Sequence, residues 1–437
     1  MLEKIIFYLL IFCLPFQIRK ILHQWSPDFN EWTGVFLYFT DLLILVLFVF
    51  WFWRIRKERF FPKKIDIILI LFLISAFISL SQAKNFQLGF YQWLKLLEFV
   101  LFFFYVKYNF GNIFHFERIA QVFIVSGLFQ SIIAIGQYAK QTSLGLWWLR
   151  ESPLAPDIIG AAKIVVDGTK MIRAYGSFPH PNVLAAFLLI ALFFLYELWL
   201  KDKIHYSLLA GIFGLLFFAL FLTFSRTIIS VFLSASLMYF IFFFKNFRKK
   251  VLFLFLLITL YSLLFAALAW PEISSRFSVS LTDQAVGLRG FYNETAILLI
   301  KNYPFLGIGL GNFVWQIQQI FPLWESWLFQ PVHNIYLLIA SEAGLIGLSL
   351  FLLFIVGLMM LFIRLVRQDN SGAKWSLLFV FFSFFFIALF DHFFWTLQQG
   401  QLMFWVLLGM IASFDKNPAP NFGGLLTKFY NKKTSIQ

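Results

Sequence analysis

The chain has 437 residues, of which 61% are hydrophobic and 13% charged, and Phe alone occurs 64 times. A soluble protein of that composition would expose far more apolar surface than a monomer tolerates, so the class is a polytopic helical membrane protein. The formal charge of +14 does not point to nucleic acid, because Lys and Arg sit in short loops between apolar runs, the pattern that sets orientation in a bilayer.

In chain order the apolar runs occupy about residues 5–17, 35–53, 65–81, 88–106, 118–137, 182–200, 205–223, 227–244, 251–269, 334–363, 375–394 and 399–413. They predict an all-α fold of about twelve transmembrane helices, with residues 1–437 forming one transmembrane domain. The first run lacks a small-residue cleavage site and reads as a retained span, with the single cysteine, Cys13, as a packing residue inside it. One cysteine also leaves no intramolecular disulfide and no multi-cysteine metal site. The 334–363 run exceeds one bilayer thickness, which tilt or projection beyond the membrane would accommodate.

With the N-terminus placed in the cytoplasm and the loops sorted alternately, 22 of the 35 Lys and Arg residues fall inside and 12 outside, Lys95 lying within a span. The inside set includes the clusters Arg54, Arg56, Lys57, Arg59, Lys63, Lys64 and Lys245, Arg248, Lys249, Lys250, and the tail residues Lys416, Lys428, Lys432 and Lys433. Both termini are therefore expected in the cytoplasm. The long outside loops are then about 138–181 and 270–333, with short outside turns near 81–87, 225–226 and 392–398. The 270–333 loop, between spans 9 and 10, reads as helical over about 282–301, lying along the membrane surface, before a Gly-rich turn in PFLGIGLGNF. No internal repeat and no Gly- or Pro-broken span is legible.

Three stretches at the outer boundary hold the residue types that chemistry needs: RAYGSFPHPN (173–182), TFSRT (223–227) and QPVHNIYLLIASEAGLIG (330–347). His333, where a long loop meets a span, is a side chain suited to moving protons near neutral pH, with Asn334 as its hydrogen-bonding neighbour; the bland alternative is a helix-capping pair. Arg226 is either a snorkelling anchor or a phosphate ligand beside a helix N-terminus, with Ser225 or Thr227 as cap. Arg289, with Asn293 and Thr295, presents a polar face on the loop helix. Arg173 opens a turn that Gly176, Pro179 and Pro181 enforce, with Asn182 as a helix cap. His180, Glu342, Asp391 and His392 are weaker candidates. Nine residues separate Glu342 from His333, which directs them to opposite helix faces, so Glu342 reads as structural, in a stretch where Gly344 and Gly347 favour close packing. No P-loop, HExxH, metal-binding acidic pair or nucleophile elbow occurs.

Together with LTFSRTIIS, RGFYNETAILLIKNYPFLGIGLGNF and VHNIYLLIASEAGLIG, these stretches resemble the O-antigen ligase and polymerase superfamily of envelope-glycan enzymes, over a core of about 170–363. The resemblance implies a GT-C-like, cofactor-free and metal-independent glycosyltransferase at the outer face of the cytoplasmic membrane. Its donor would be a polyprenyl-diphosphate-linked glycan, and its acceptor a hydroxyl on a lipid, glycan or protein. By that likeness Arg226 and Arg289, with Arg173 beside them, would bind the diphosphate, His333 would orient or deprotonate the acceptor, and Asn334, Ser225 and Asn182 would support them. The same likeness leaves a polymerase or a small-anion transporter as alternatives.

Overall fold

A computed structural model describes residues 1–26, 28–55, 62–277, 284–368 and 372–415. The basic residues at 56, 57, 59, 416, 428, 432 and 433, counted above toward sidedness, lie outside the described residues. Every apolar run falls on a helix: α1 (Leu2–Cys13), α2 (Phe39–Ile55), α3 (Lys64–Ser79), α4 (Phe86–Asn109), α5 (Phe116–Lys140), α6 (Pro181–Leu200), α7 (Tyr206–Leu222), α8 (Arg226–Leu268), α12 (Ile335–Gln368), α13 (Gly372–Ile387) and α15 (Gln398–Ser413). Between them lie α9 (Trp270–Phe277), α10 (Gln284–Asn302), α11 (Phe313–Ile320) and the single turn α14 (Phe393–Thr396). Among the described residues, six helices are long and apolar enough to cross a membrane, fewer than the twelve full spans expected. The rest are shorter than the roughly 20 residues a perpendicular crossing takes. The protein is a multi-pass membrane protein.

Two of the expected spans, 227–244 and 251–269, are the two arms of α8. The backbone leaves helical geometry at Phe247 (φ −133°, ψ 36°), and the chain folds back. Phe240 and Phe255 have ring centroids 6.4 Å apart, whereas a continuous helix would hold residues 15 apart at about 22 Å. At the open end of this hairpin Arg226 donates to the Arg276 carbonyl at 3.2 Å.

The helices run between two chemically distinct ends. One end is laced by basic residues: Arg54 with Glu3 and Asn109, Lys107 with Asp66, Lys63 with Asp415, and Lys250 with Asp202 and the carbonyls closing α6. The other end gathers the loops that carry His333, Arg173 and Arg226. There the fold departs from all-α. The hairpin β1 (Arg19–Gln24)–β2 (Gly34–Tyr38) fills the first loop, and β3 (Lys163–Val166)–β4 (Thr169–Ile172) turns through Asp167 and Gly168, both at positive φ. Asn30 fastens the first hairpin to the last outer loop through the Ser326 and Phe329 carbonyls. The core is centred on α6, which is buried along nearly its whole length, and its single carboxylate Glu197 pairs with Lys201 and accepts from Ser376.

The over-long 334–363 run is resolved by a break that the sequence reading did not anticipate. Gly344 sits at φ 72°, ψ 178° inside α12, a conformation open only to glycine. The Leu345 N–H, which a continuous helix would direct at Ser341, instead donates to the Pro304 carbonyl at 2.7 Å. The freed Ser341 and Glu342 carbonyls take the N–H groups of Ile308 and Gly309 at 2.9 and 3.0 Å. The Gly-rich turn between α10 and α11 thus satisfies the broken backbone, as burial demands. Glu342 adds a side-chain clasp by accepting from the Phe313 N–H at 3.2 Å, in line with its structural reading.

Candidate functional site

His333 lies one residue before the N-cap of α12. Asn334 is that cap: its Oδ1 accepts from the Leu337 N–H at 3.0 Å and its Nδ2 donates to the Leu389 carbonyl at 3.2 Å. The His333 Nδ1 faces the Pro331 carbonyl at 3.1 Å. A carbonyl only accepts, so Nδ1 carries the proton and Nε2 presents its lone pair. One face of the ring stacks on Tyr292 at 6.2 Å, and the His392 ring meets it edge-on at 4.9 Å. Burial lowers the His333 pKa and Arg289 lowers it further, against the opposing pull of Asp391. The ring is therefore neutral at neutral pH.

Arg173 is buried. It donates to the Thr223 carbonyl at 2.5 Å and to Asn182 Oδ1 at 2.7 Å, and Asn182 Nδ2 passes the connection to Asp391 Oδ2 at 2.7 Å. Asn182 is thus a bridge rather than the helix cap expected. The cap of α6 is His180, whose Nδ1 accepts from the Asn182 N–H at 3.2 Å. Burial and neighbouring Arg276 pull the Arg173 guanidinium down to about 9, still protonated at pH 7. Burial opposes ionisation of Asp391, but the charge that His392, His333 and His180 take up in acid, together with the Asn182 amide, holds it below the usual carboxylate range. His180 and His392 are both lowered to about 3 by burial, reinforced by Arg173 for the first and His333 for the second. Three neutral imidazoles therefore surround one carboxylate.

The expected residues do not all arrive in the expected way. Arg289 acts on Arg173, His180, His333 and His392 through its charge, but Asn293 is exposed and Thr295 spends its hydroxyl on the Phe291 carbonyl. What shares the approach of α10 to the site is Tyr292, three residues after Arg289 and overlooked in the sequence, whose hydroxyl is anchored on the Leu328 carbonyl. Ser225 occupies the cap position of α8 but makes no side-chain capping bond; its backbone carbonyl receives the Ile229 N–H at 2.9 Å. Arg226 is exposed at the rim, and Arg276, a further residue the sequence reading passed over, lies between it and Arg173. Asp391 and His392 move from weak candidates to the centre of the cluster. Trp32, from the first outer loop, packs edge-on against His392 at 5.7 Å. Among the described residues no group of three His, Cys, Asp or Glu side chains is placed to hold a metal ion.

A cluster of arginines flanking a neutral histidine, at the loop-bearing end of a membrane bundle, is the setting in which the comparisons with known proteins fall. Part of the chain is similar to the O-antigen ligase family. The family model matches residues 211–352, which run from within α7 to beyond the break in α12 and include Arg226, Arg276, Arg289 and His333. No curated protein matches the chain. The ligase family consists of ligase- and polymerase-type membrane proteins that transfer glycosyl groups in polysaccharide assembly, on lipid-linked glycan substrates. Arg173, Asn182, Asp391 and His392 lie outside the matched segment, so the fold brings the ligase-family segment together with residues that precede and follow it.

Proposed function

We propose that the protein transfers a glycan from a polyprenyl-diphosphate-linked donor to an acceptor hydroxyl, without a metal, at the outer face of the cytoplasmic membrane. The observation that carries this reading is the His333 tautomer: Nδ1–H held by Pro331 and a free Nε2 beside the Arg289 charge. In the reaction the acceptor O–H gives its proton to Nε2 as the oxygen bonds to the anomeric carbon. The bond from that carbon to the phosphate oxygen breaks, and the electron pair leaves with polyprenyl diphosphate. Arg289, Arg226 and Arg173, joined by Arg276, stabilise the growing negative charge, which guanidinium groups do through paired, charge-assisted bonds. A base on one side and the leaving group on the other makes the transfer inverting. Asn334 holds His333 at the helix mouth, and Asn182 keeps Arg173 aimed. Ligase and polymerase share this chemistry and differ in the acceptor.

The break at Gly344 is the one feature that favours a transport path, because interrupted spans line ion and substrate routes in transporters. Here the break is filled by the chain itself. The Phe305 carbonyl and Leu306 occupy the space beside Gly344, and both freed carbonyls are bonded, so the interruption is closed by protein rather than by solvent or cargo.

The test is transfer in vitro by purified protein given polyprenyl-diphosphate glycan and candidate acceptors in excess chelator, beside His333→Ala, Arg226→Ala and Arg289→Ala. Chelator-resistant transfer that each substitution reduces by about 10²-fold or more supports the reading. A single addition identifies a ligase and a ladder a polymerase. Normal transfer by folded His333→Ala sinks the mechanism.

A further inference from the structure

In the first arm of α8, every fourth residue from the start is exposed: Arg226, Ser230, Ser234, Met238 and Phe242. That spacing puts them in one row along one face of the helix. The row begins with a guanidinium, passes two small side chains and ends in a groove. The groove opens between α8 and α13 and holds about 400 Å³ of free space. Its lining is entirely hydrophobic, with Met238, Ile241 and Phe242 on one wall and Trp375, Phe379 and Phe382 on the other. The second wall carries a row of its own. Phe382, Phe386 and Phe390 are all exposed, the last two with ring centroids 5.4 Å apart, and the next residue is Asp391. Both walls therefore run up to the end of the bundle that carries His333.

The depth of the groove limits what can fill it. At about 1.5 Å per residue, Met238 and Phe242 lie about 18 and 24 Å along α8 from Arg226. One leaflet of hydrocarbon is about 15 Å thick, half of the bilayer core. A phospholipid with its headgroup at the Arg226 end therefore stops short of the groove. From the opposite leaflet the way in is closed by the Phe242 and Trp375 rings, whose centroids are 3.7 Å apart. The occupant that fits is a single hydrocarbon chain longer than one leaflet, with an anionic head at Arg226.

We infer that the groove between α8 and α13 holds the polyprenyl chain of the donor, led down from Arg226 past Ser230 and Ser234. The inference rests on the transfer reading above and adds to it the part of the chain that reads the lipid. Inside a bilayer a hydrocarbon chain gains packing rather than escape from water, so the shape of the groove decides the selection. Ser230 and Ser234 leave open the space that larger side chains would fill.

The experiment measures initial rates of the full-length protein with one glycan carried on undecaprenyl or on farnesyl diphosphate, a chain too short to reach Met238. Met238→Trp and Ser234→Phe fill the groove and its approach. Leu263→Trp, 66% exposed on the second arm of α8, is the control. In parallel, a diazirine-bearing undecaprenyl phosphate is photo-crosslinked to the parent protein and the labelled peptides are mapped, with unmodified undecaprenyl phosphate or phosphatidylglycerol as competitor. Expected is a KM for the undecaprenyl donor raised about tenfold by each filling substitution, the order of an overpacked contact. The farnesyl donor and the acceptor keep their KM, and the control changes neither. Labels fall on residues 238–242 and 378–382, and undecaprenyl phosphate displaces them where phosphatidylglycerol does not. Labels elsewhere, displacement by phosphatidylglycerol, or equal effects on both donors overturn the assignment. If Met238→Trp does not fold, Ser234→Phe and the labelling of the parent decide it. His333-dependent transfer with labels elsewhere removes the groove and keeps the transfer reading. No transfer by the parent removes the transfer reading, and the label map then decides the groove alone.

Discussion

His333 keeps a free Nε2 because Pro331 precedes it by two residues and offers a carbonyl to Nδ1, and because burial and Arg289 make the charged ring costly. The pH dependence follows with a definite sign. A base is active when unprotonated, so lowering its pKa moves the acid limb of kcat/KM below the ordinary imidazole value of about 6.5. Asp391 pulls the other way, favouring the imidazolium. Asp391→Asn is therefore expected to shift the acid limb to still lower pH, while weakening the bridge through Asn182 to Arg173. Rate profiles between pH 4.5 and 8 check this, and an inflection above 6.5 in the parent, or an upward shift in the variant, contradicts it. At this scale the chain was partly legible. A histidine and arginines at predicted helix mouths could be picked out because loop position is visible in hydropathy. Tyr292 and Arg276 could not, since a Tyr or Arg on a loop helix looks the same whether it faces solvent or the site.

Among the elements, α12 is the one whose conformation the chemistry depends on. The half that starts at Asn334 and carries His333 at its mouth ends at Gly344, where the Gly-rich turn locks onto it through Ile308, Gly309 and Leu345. A Cβ at Gly344 would overlap the Phe305 carbonyl in a backbone region that L-residues avoid. Gly344→Ala is expected to cost at least about 3 kcal/mol, from left-handed strain together with backbone displacement, and to remove transfer by shifting the His333 half-helix. Gly357→Ala, thirteen residues along the same helix, is the control. Its Cβ would rest 3.7 Å from Ile65 at ordinary contact, and replacing a helical glycine there is neutral to stabilising. Thermal melts in detergent compare the two, and equal melting temperatures would refute the argument. Hydropathy reported the excess length of this run but not the break, because an apolar helix with three glycines has the same composition bent or straight. By contrast, the β3–β4 hairpin was legible and was missed: Asp167-Gly168 between β-branched and polar residues is the strongest short-range hairpin signal.

Over the whole molecule, the alternation of loops and the burial of α6 produce one site from segments as distant as Trp32 and His392. Sorting basic residues had already put the three site stretches on one side, and the structure brings their loops to one end while Arg54, Lys63, Lys107 and Lys250 pair at the other. Which end faces the cell exterior is then a question of charge: the positive-inside rule predicts that the end rich in Lys and Arg stays in the cytoplasm and that the His333 end faces out. The lone Cys13 is buried, so replacing it with Ser leaves a background in which single cysteines report sidedness. Trp147, 80% exposed on the loop after α5, and Lys249, exposed at the turn of the α8 hairpin, lie at opposite ends. A membrane-impermeant maleimide added to intact cells with a permeable outer layer should label Trp147→Cys and spare Lys249→Cys until the cytoplasmic membrane is opened. The reverse pattern would put His333 in the cytoplasm, where an outward-facing lipid-linked donor could not reach it, and would refute the transfer reading at its most basic requirement.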